Sequence, residues 1–173
     1  EMSASLVGSE MCIRDRLGNA RYDSIVCVPW IRTGGADLVA CQICEALRLA
    51  RPDESVLLLR TDQPNFDRPE WVPAGVDVVD ASKVFRNISP IDAQTLLYGV
   101  FLGIAPVRVI NVNSRLCWDT LARFGERLAQ SINLYSYLFC WDQNANGYRT
   151  GYPSEFFPDT VNNLRAVFTD TVY

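Results

Sequence analysis

The feature that most constrains the fold of this chain is an alternation of short apolar runs with longer segments of helical periodicity. Residues 24–30 form a nearly continuous apolar run, which is typical of a strand buried on both faces of a parallel sheet. Beyond Gly34 and Gly35, apolar side chains recur at three and four residues through residues 36–50, and charged side chains take the other side. This spacing predicts an amphipathic helix, so the segment has the pattern that opens a β-α-β unit.

The same alternation continues along the rest of the chain. Ser89 and Pro90 mark the start of an apolar helix over residues 90–103, and Ser114 is the predicted cap of a helix that runs to residue 128. Further strands are predicted at residues 56–59, 76–79, 107–112, 132–140 and 165–169. Strands separated by helices imply right-handed crossovers. We therefore predict an α/β fold, a doubly wound, mostly parallel Rossmann-like sheet with helices on both faces.

Charge and composition exclude several classes of function. Sixteen Lys and Arg and twenty Asp and Glu give a net charge of −4, so the chain lacks the excess positive charge that binds a nucleic-acid backbone. The chain has no histidine, so the commonest general base and the usual zinc ligand are missing, and no metal is expected. The longest uncharged stretch, residues 93–107, is shorter than the about 20 residues of a spanning helix. We predict no transmembrane segment and no nucleic-acid partner.

The six cysteines are too few for a disulfide scaffold and lie mostly in apolar runs, which predicts a reducing, cytoplasmic compartment. The protein is expected either free there or peripheral at the inner face of the membrane. Cys41 and Cys44 have the CxxC spacing but fall inside the predicted first helix, so we interpret them as packing residues. A redox protein is the alternative, and it predicts an exposed thiol of low pKa.

A candidate ligand site follows from the topology. In such a sheet, ligands bind at the carboxyl ends of the strands, beside the point where the strand order reverses. If the first and fourth strands flank that point, residues 32–35, 111–118 and 141–152 meet there. Gly34 and Gly35 would let the backbone turn sharply and approach a phosphate at the helix amino terminus. The alternative is a tight turn that merely requires glycine.

Other residues at the same edge are candidate contacts to a sugar or acceptor. Trp118 and Trp141 could stack on a sugar ring, or they could close the end of the core. Asn111, Asn113 and Ser114 could hydrogen-bond to hydroxyl groups, whereas the simpler interpretation is that Asn113 or Ser114 caps the next helix. Asp142 and Tyr148 lie in a long connection rich in polar and aromatic residues, as binding loops are, although Asp142 could equally be a solvated loop charge. No catalytic residue is predicted.

Together these segments resemble one family. Residues 25–30, the loop 32–37 with its Gly-Gly-Ala-Asp step, residues 109–114, the strand that ends at residues 141–142, and residues 166–170 look like the amino-terminal domain of GT-B glycosyltransferases, particularly family 4. The resemblance covers residues 22–173. It implies one half of a GT-B architecture: this domain binds the acceptor and lends its glycine loop, with Arg32, to the donor diphosphate. A second Rossmann-like domain would carry most of the nucleotide-sugar site.

The resemblance thus implies a fragment of a retaining, metal-independent glycosyltransferase of hexosyltransferase type that uses no cofactor. It would transfer sugar from a nucleotide-sugar donor to a glycan or lipid-linked acceptor in bacterial cell-surface polysaccharide synthesis. One departure is that many relatives carry histidine where this chain has Asn111 and Asn113. Residues 17–173 are expected to be the domain, truncated before the donor-binding domain and inactive alone. Residues 1–16 resemble a non-native leader and are expected to be that or disordered. The alternative function is a stand-alone nucleotide- or protein-binding module without catalysis.

Overall fold

In the computed structural model, residues 21–139 and 142–169 are described, together with residues 8, 9, 11, 13, 15 and 17. Six strands form one sheet: β1 (Ser24–Val28), β2 (Val56–Arg60), β3 (Asp77–Asp80), β4 (Arg108–Val112), β5 (Asn133–Leu138) and, after the short strands β6 and β7 described below, β8 (Ala166–Thr169). Every pairing in this sheet is parallel, and the strand order is β3-β2-β1-β4-β5-β8. Strand order therefore reverses between β1 and β4, as in doubly wound Rossmann-like folds. The predicted fold class is confirmed.

Helices occupy the crossovers, as the periodicity predicts. The long ones are α1 (Gly35–Ala50), α3 (Pro90–Ile104) and α4 (Arg115–Leu128), and the short ones are α2 (Ser82–Phe85), α5 (Tyr152–Glu155) and α6 (Phe157–Thr160). Two single turns of 3₁₀ helix span Pro69–Trp71 and Val161–Asn163. The long connection after β5 contains a two-stranded antiparallel hairpin, β6 (Asp142–Gln143) with β7 (Arg149–Thr150), which was not predicted from the sequence.

The sheet separates two apolar cores because its central strands are buried on both sides. All five residues of β1 and of β2 are buried. On one face, which we call the α1 face, α1 packs on alternate residues of β1, β2 and β4. On the opposite face, the α3–α4 face, both of those helices pack on the remaining residues of these strands and on β5. Each fully buried aliphatic side chain contributes about 1.5–3 kcal/mol relative to exposure.

Two residues near the amino terminus belong to the α3–α4 face. Ile13 and Leu17 are helical and buried in its core. Ile13 lies within residues 1–16, which were expected to be a non-native leader or disordered. The structure therefore packs at least this side chain of the segment against the domain.

The cysteine pair on α1 is a packing pair, as predicted. Cys41 and Cys44 are buried against the sheet on the α1 face. Burial raises the pKa of the Cys41 thiol to about 11 and that of Cys44 to about 12, because the thiolate loses its hydration. A redox-active pair needs an exposed thiol of low pKa, so the redox alternative is contradicted.

Among the described residues, none of the helices has both the length and the apolar character that crossing a bilayer requires.

Candidate functional site

A cleft of about 530 Å³ lies at the carboxyl end of the sheet, beside the reversal of strand order. Because β1 and β4 flank this reversal, the segments that follow them meet here, as the topology predicts. Its walls are the first turn of α1, the β4–α4 turn, the end of β5 and α5. The lining residues are Ala36, Asn113, Arg115, Tyr137, Leu138, Phe139, Gly151, Tyr152, Pro153 and Glu155.

The amino terminus of α1 is open toward this edge. Gly34 is its cap residue, and no side chain of the described residues caps the turn. A Cβ at Gly35 would find no atom within 4 Å, so a ligand can approach the backbone closely. The first amides of a helix lack intrahelical partners and carry partial positive charge, and both properties favour an anion.

The expectation that Gly34 and Gly35 allow a sharp backbone turn is wrong. Gly34 has φ −158°, which is extended backbone that any residue adopts, and Gly35 also lies outside the left-handed region. A Cβ at Gly34 would instead lie 3.3 Å from Oδ2 of Asp37. A side chain at Gly34 would therefore crowd that carboxylate, which would have to move by a few tenths of an ångström to admit it.

Asp37 closes the loop that precedes α1. Its Oδ2 accepts a hydrogen bond from the backbone N–H of Arg32 at 2.9 Å, and the side chain is 5% exposed. Burial raises the pKa of this carboxyl, and it outweighs the lowering effects of that N–H and of the Arg32 cation. Arg32 itself points elsewhere: its Nε lies 3.7 Å from Asp67, and it is absent from the lining of the cleft.

The amino terminus of α4, in contrast, is occupied by the protein's own side chains. Ser114 caps it, since its hydroxyl accepts from the N–H of Cys117 at 2.9 Å, and that hydroxyl lies 2.7 Å from Thr61 Oγ1. The Asp62 carboxylate accepts from the N–H groups of Arg115 and Leu116 at 2.9 and 3.3 Å. Burial raises the pKa of Asp62 despite these bonds. The capping interpretation of Ser114 is confirmed, and it leaves this buried hydroxyl no access to a ligand.

Of the two candidate asparagines, Asn111 is buried in the sheet and Asn113 lines the cleft. Asn111 is buried in β4, and its amide bonds both to the N–H of Ser114, at 3.1 Å, and to the Ser114 carbonyl, at 3.3 Å. It closes the β4–α4 turn and does not line the cleft, so the predicted contact to a sugar is corrected to a turn contact. Asn113 lines the cleft and has φ 66°, a left-handed conformation that asparagine tolerates.

Of the aromatic candidates, the two that the structure describes, Trp118 and Tyr148, do not line the cleft. Trp118 is fully buried and packs on Phe156, with ring centroids 6.0 Å apart. Its predicted stacking on a sugar is therefore corrected to packing at the end of the core. Tyr148 is 69% exposed at the tip of the hairpin. Asp142 pairs with Thr150 through the hairpin backbone, and Trp141 lies outside the described residues.

The cleft also contains charged and aromatic groups that were not predicted from the sequence. The Arg115 guanidinium lies 3.2 Å from Glu155, 3.5 Å from Asp119 and 4.6 Å from the centre of the Phe156 ring. Burial, together with the Asp62 carboxylate, raises the pKa of Tyr152 to about 12, so its hydroxyl stays protonated. A guanidinium, a carboxylate and phenol hydroxyls beside aromatic rings suit a polar ligand with hydroxyl groups. In the described part of the chain, no group of three or more Cys, Asp or Glu is arranged to hold a metal ion.

Comparisons with known proteins give little beyond the fold. No family model matches the chain, and no curated protein matches it. Among solved structures, the chain is similar to the Bordetella bronchiseptica enzyme WbmH, determined in complex with NAD⁺, with 12% sequence identity and a TM-score of 0.47. The similarity covers 86% of this chain and 55% of that enzyme, so the chain spans about half its length. It carries no information on ligand or activity.

Proposed function

We propose that this chain is the acceptor-binding half of a retaining glycosyltransferase, which binds a nucleotide sugar through its diphosphate. The observation that carries the proposal is the open amino terminus of α1 beside the cleft. Of the two long helices that begin at the reversal of strand order, α4 is capped by Ser114 and Asp62, whereas no described side chain caps α1. An anionic group therefore has one free helix terminus to bind.

In the proposed reaction, the backbone N–H groups of Gly35 and Ala36 hold the diphosphate. The bond between the sugar and the diphosphate breaks, and the sugar forms a bond to an acceptor hydroxyl, whose proton leaves to the phosphate or to solvent. Amides that are already oriented stabilise the departing charge without reorganisation. Arg115 and Glu155 would hold acceptor hydroxyls, and a second Rossmann-like domain would supply the rest of the donor site. The proposal needs no metal from this half.

Titration with inorganic pyrophosphate, uridine and guanosine diphosphates and their sugar conjugates tests the proposal. We expect binding by calorimetry and amide shifts centred on Gly35 and Ala36 in NMR spectra. Gly35→Asp places a carboxylate where the phosphate would lie and should weaken binding at least about tenfold. An aspartate in the first turn favours the helix dipole, so this variant should fold.

Gly99→Asp is the matched control, because its side chain also meets open space but lies on α3, on the opposite face of the sheet. It should bind as the wild type does. Equal binding by wild type and Gly35→Asp would contradict the proposed site. Binding of the nucleoside diphosphate alone as tightly as its sugar conjugates, with no affinity for any glycan, would favour the non-catalytic nucleotide-binding module.

A further inference from the structure

A row of aromatic side chains lies on the α1 face of the sheet, on strands that α1 does not cover. Tyr135, Tyr137 and Phe139 alternate along β5 and the residue after it, so their side chains point to the same face. Phe168 on β8 is paired with Tyr137 in the register and joins them. Ring centroids are 6.0 Å apart for Tyr135 and Phe168 and 4.7 Å apart for Tyr137 and Phe139. We call these four residues the aromatic face.

The aromatic face is accessible to a ligand. Phe168 is 45% exposed, and the other three rings are half-buried. α1 packs on β1, β2 and β4, whereas Ala166, beside the aromatic rings on β8, is exposed. A row of neighbouring aromatic rings that reaches the protein surface is typical of a binding surface.

The aromatic face is continuous with the cleft, because Tyr137 and Phe139 also form part of the cleft wall. A ligand held in the cleft can therefore extend over Tyr135 and Phe168 without leaving the protein surface. This continuity connects the aromatic face to the acceptor rather than to an unrelated partner.

The chemistry of the aromatic face favours a neutral saccharide. None of its four residues is charged, so it offers nothing specific to an anionic headgroup or a nucleic-acid backbone. The C–H faces of sugar rings pack on aromatic rings, and sugar hydroxyls hydrogen-bond with phenol hydroxyls, which Tyr135 and Tyr137 both carry. A purely apolar occupant would gain nothing from the two hydroxyls.

We infer that the aromatic face binds successive sugar units of an oligosaccharide acceptor whose reacting end lies in the cleft. The inference rests on the proposed function and deepens it: the acceptor is a chain of sugars and not a single sugar. Affinity must then rise with the length of the acceptor, since each added unit covers another ring.

A microarray of neutral glycans, from single sugars to hexasaccharides, tests this inference on the labelled protein, followed by calorimetry with the glycans that bind. We expect affinity to increase with chain length. Phe168→Ala should weaken binding of the longer glycans about three- to tenfold and leave single sugars and pyrophosphate unaffected. Phe168→Leu retains apolar bulk for folding but removes the ring, and should show the same loss.

Leu102→Ala is the matched control, because Leu102 is equally exposed, at 45%, but lies on α3 at the opposite face. It should bind all glycans as the wild type does. Absence of glycan binding, affinity independent of length, or no effect of either Phe168 variant would overturn the inference. If light scattering shows that the wild type is a dimer and Phe168→Ala is a monomer, the aromatic face binds a second copy of the chain and the inference is overturned.

The two proposals can fail separately. Length-dependent glycan binding that Phe168→Ala removes, without any binding of pyrophosphate at Gly35, would overturn the transferase and leave the aromatic face as a glycan-binding surface. Pyrophosphate binding at Gly35 with no effect of Phe168→Ala on glycan binding would overturn the role of the aromatic face and leave the proposed diphosphate site standing.

Discussion

Asp37 and Asp62 lie beside the amino termini of α1 and α4, where backbone N–H groups normally favour the ionised carboxylate. In both residues burial has the larger effect, and the pKa of the carboxyl is raised. A raised pKa means that the folded state binds a proton more tightly than the unfolded state does. The contribution of such a group to stability therefore decreases as pH rises through the interval between its ordinary and its raised pKa.

Asp37→Asn tests the direction of this pH dependence of stability. The amide oxygen of asparagine can still accept the hydrogen bond from the N–H of Arg32 but does not titrate. We expect the free energy of unfolding of the wild type, minus that of Asp37→Asn, to fall as pH rises through that interval and to be constant outside it. Urea denaturation at a series of pH values measures the difference.

A difference that grows with pH would mean that the N–H of Arg32 and its cation outweigh burial. The pKa of Asp37 would then be lowered rather than raised, contrary to our expectation.

At the scale of secondary-structure elements, the two serine caps have the same local role in very different surroundings. Ser89 caps α3 at the surface by accepting from the N–H of Asp92 at 3.1 Å. Ser114 caps α4 while fully buried, and its hydroxyl also bonds with Thr61 at the end of β2. Loss of the buried hydroxyl leaves Thr61 without this partner as well.

We expect Ser114→Ala to lower the free energy of unfolding by about 2 kcal/mol and Ser89→Ala by about 1 kcal/mol. Chemical denaturation of both variants beside the wild type measures the two losses, and each serine serves as the control for the other. Equal losses would show that the bond between Ser114 and Thr61 adds nothing to the cap.

The secondary-structure elements could be predicted from the sequence, whereas the contacts between them could not. α1, α3 and α4 were predicted within a residue or two because their apolar spacing and their caps are local. The role of Asp62 was not predicted, since the N–H groups that it binds lie more than fifty residues further along the chain. Tyr137, Phe139 and Glu155 were missed in the cleft for the same reason: their positions depend on how β5 and α5 pack around the β4–α4 turn. The sequence left two interpretations of Trp118 open, because a tryptophan near a strand end has the same sequence pattern whether it faces the core or a ligand; the structure buries it in the core.

For the molecule as a whole, buried thiols report on global unfolding. Cys27, Cys41, Cys44 and Cys117 are all buried free cysteines, and they lie in both cores of the sheet. A reagent reaches them only when the domain opens.

We expect labelling of these four thiols in the folded protein to be at least about a thousandfold slower than in urea, because native domains are stable by about 5–15 kcal/mol. Peptide mass mapping after iodoacetamide treatment identifies each site. Asp53→Cys on the exposed loop is the positive control and should react at once. Rapid labelling of Cys41 or Cys44 in the folded state would restore the redox interpretation.

The central position of β1 has a consequence for synthesis on the ribosome. Ser24 is paired with Val56 on one side and with Arg108 on the other, 84 residues downstream. A growing chain can close β1 against β2 well before β4 has been made. During that interval, on the order of seconds at typical elongation rates, one edge of β1 presents unpaired amide and carbonyl groups to any neighbouring nascent chain. Whatever slows translation between β2 and β4 therefore prolongs the time for which this unpaired strand edge is exposed to other nascent chains.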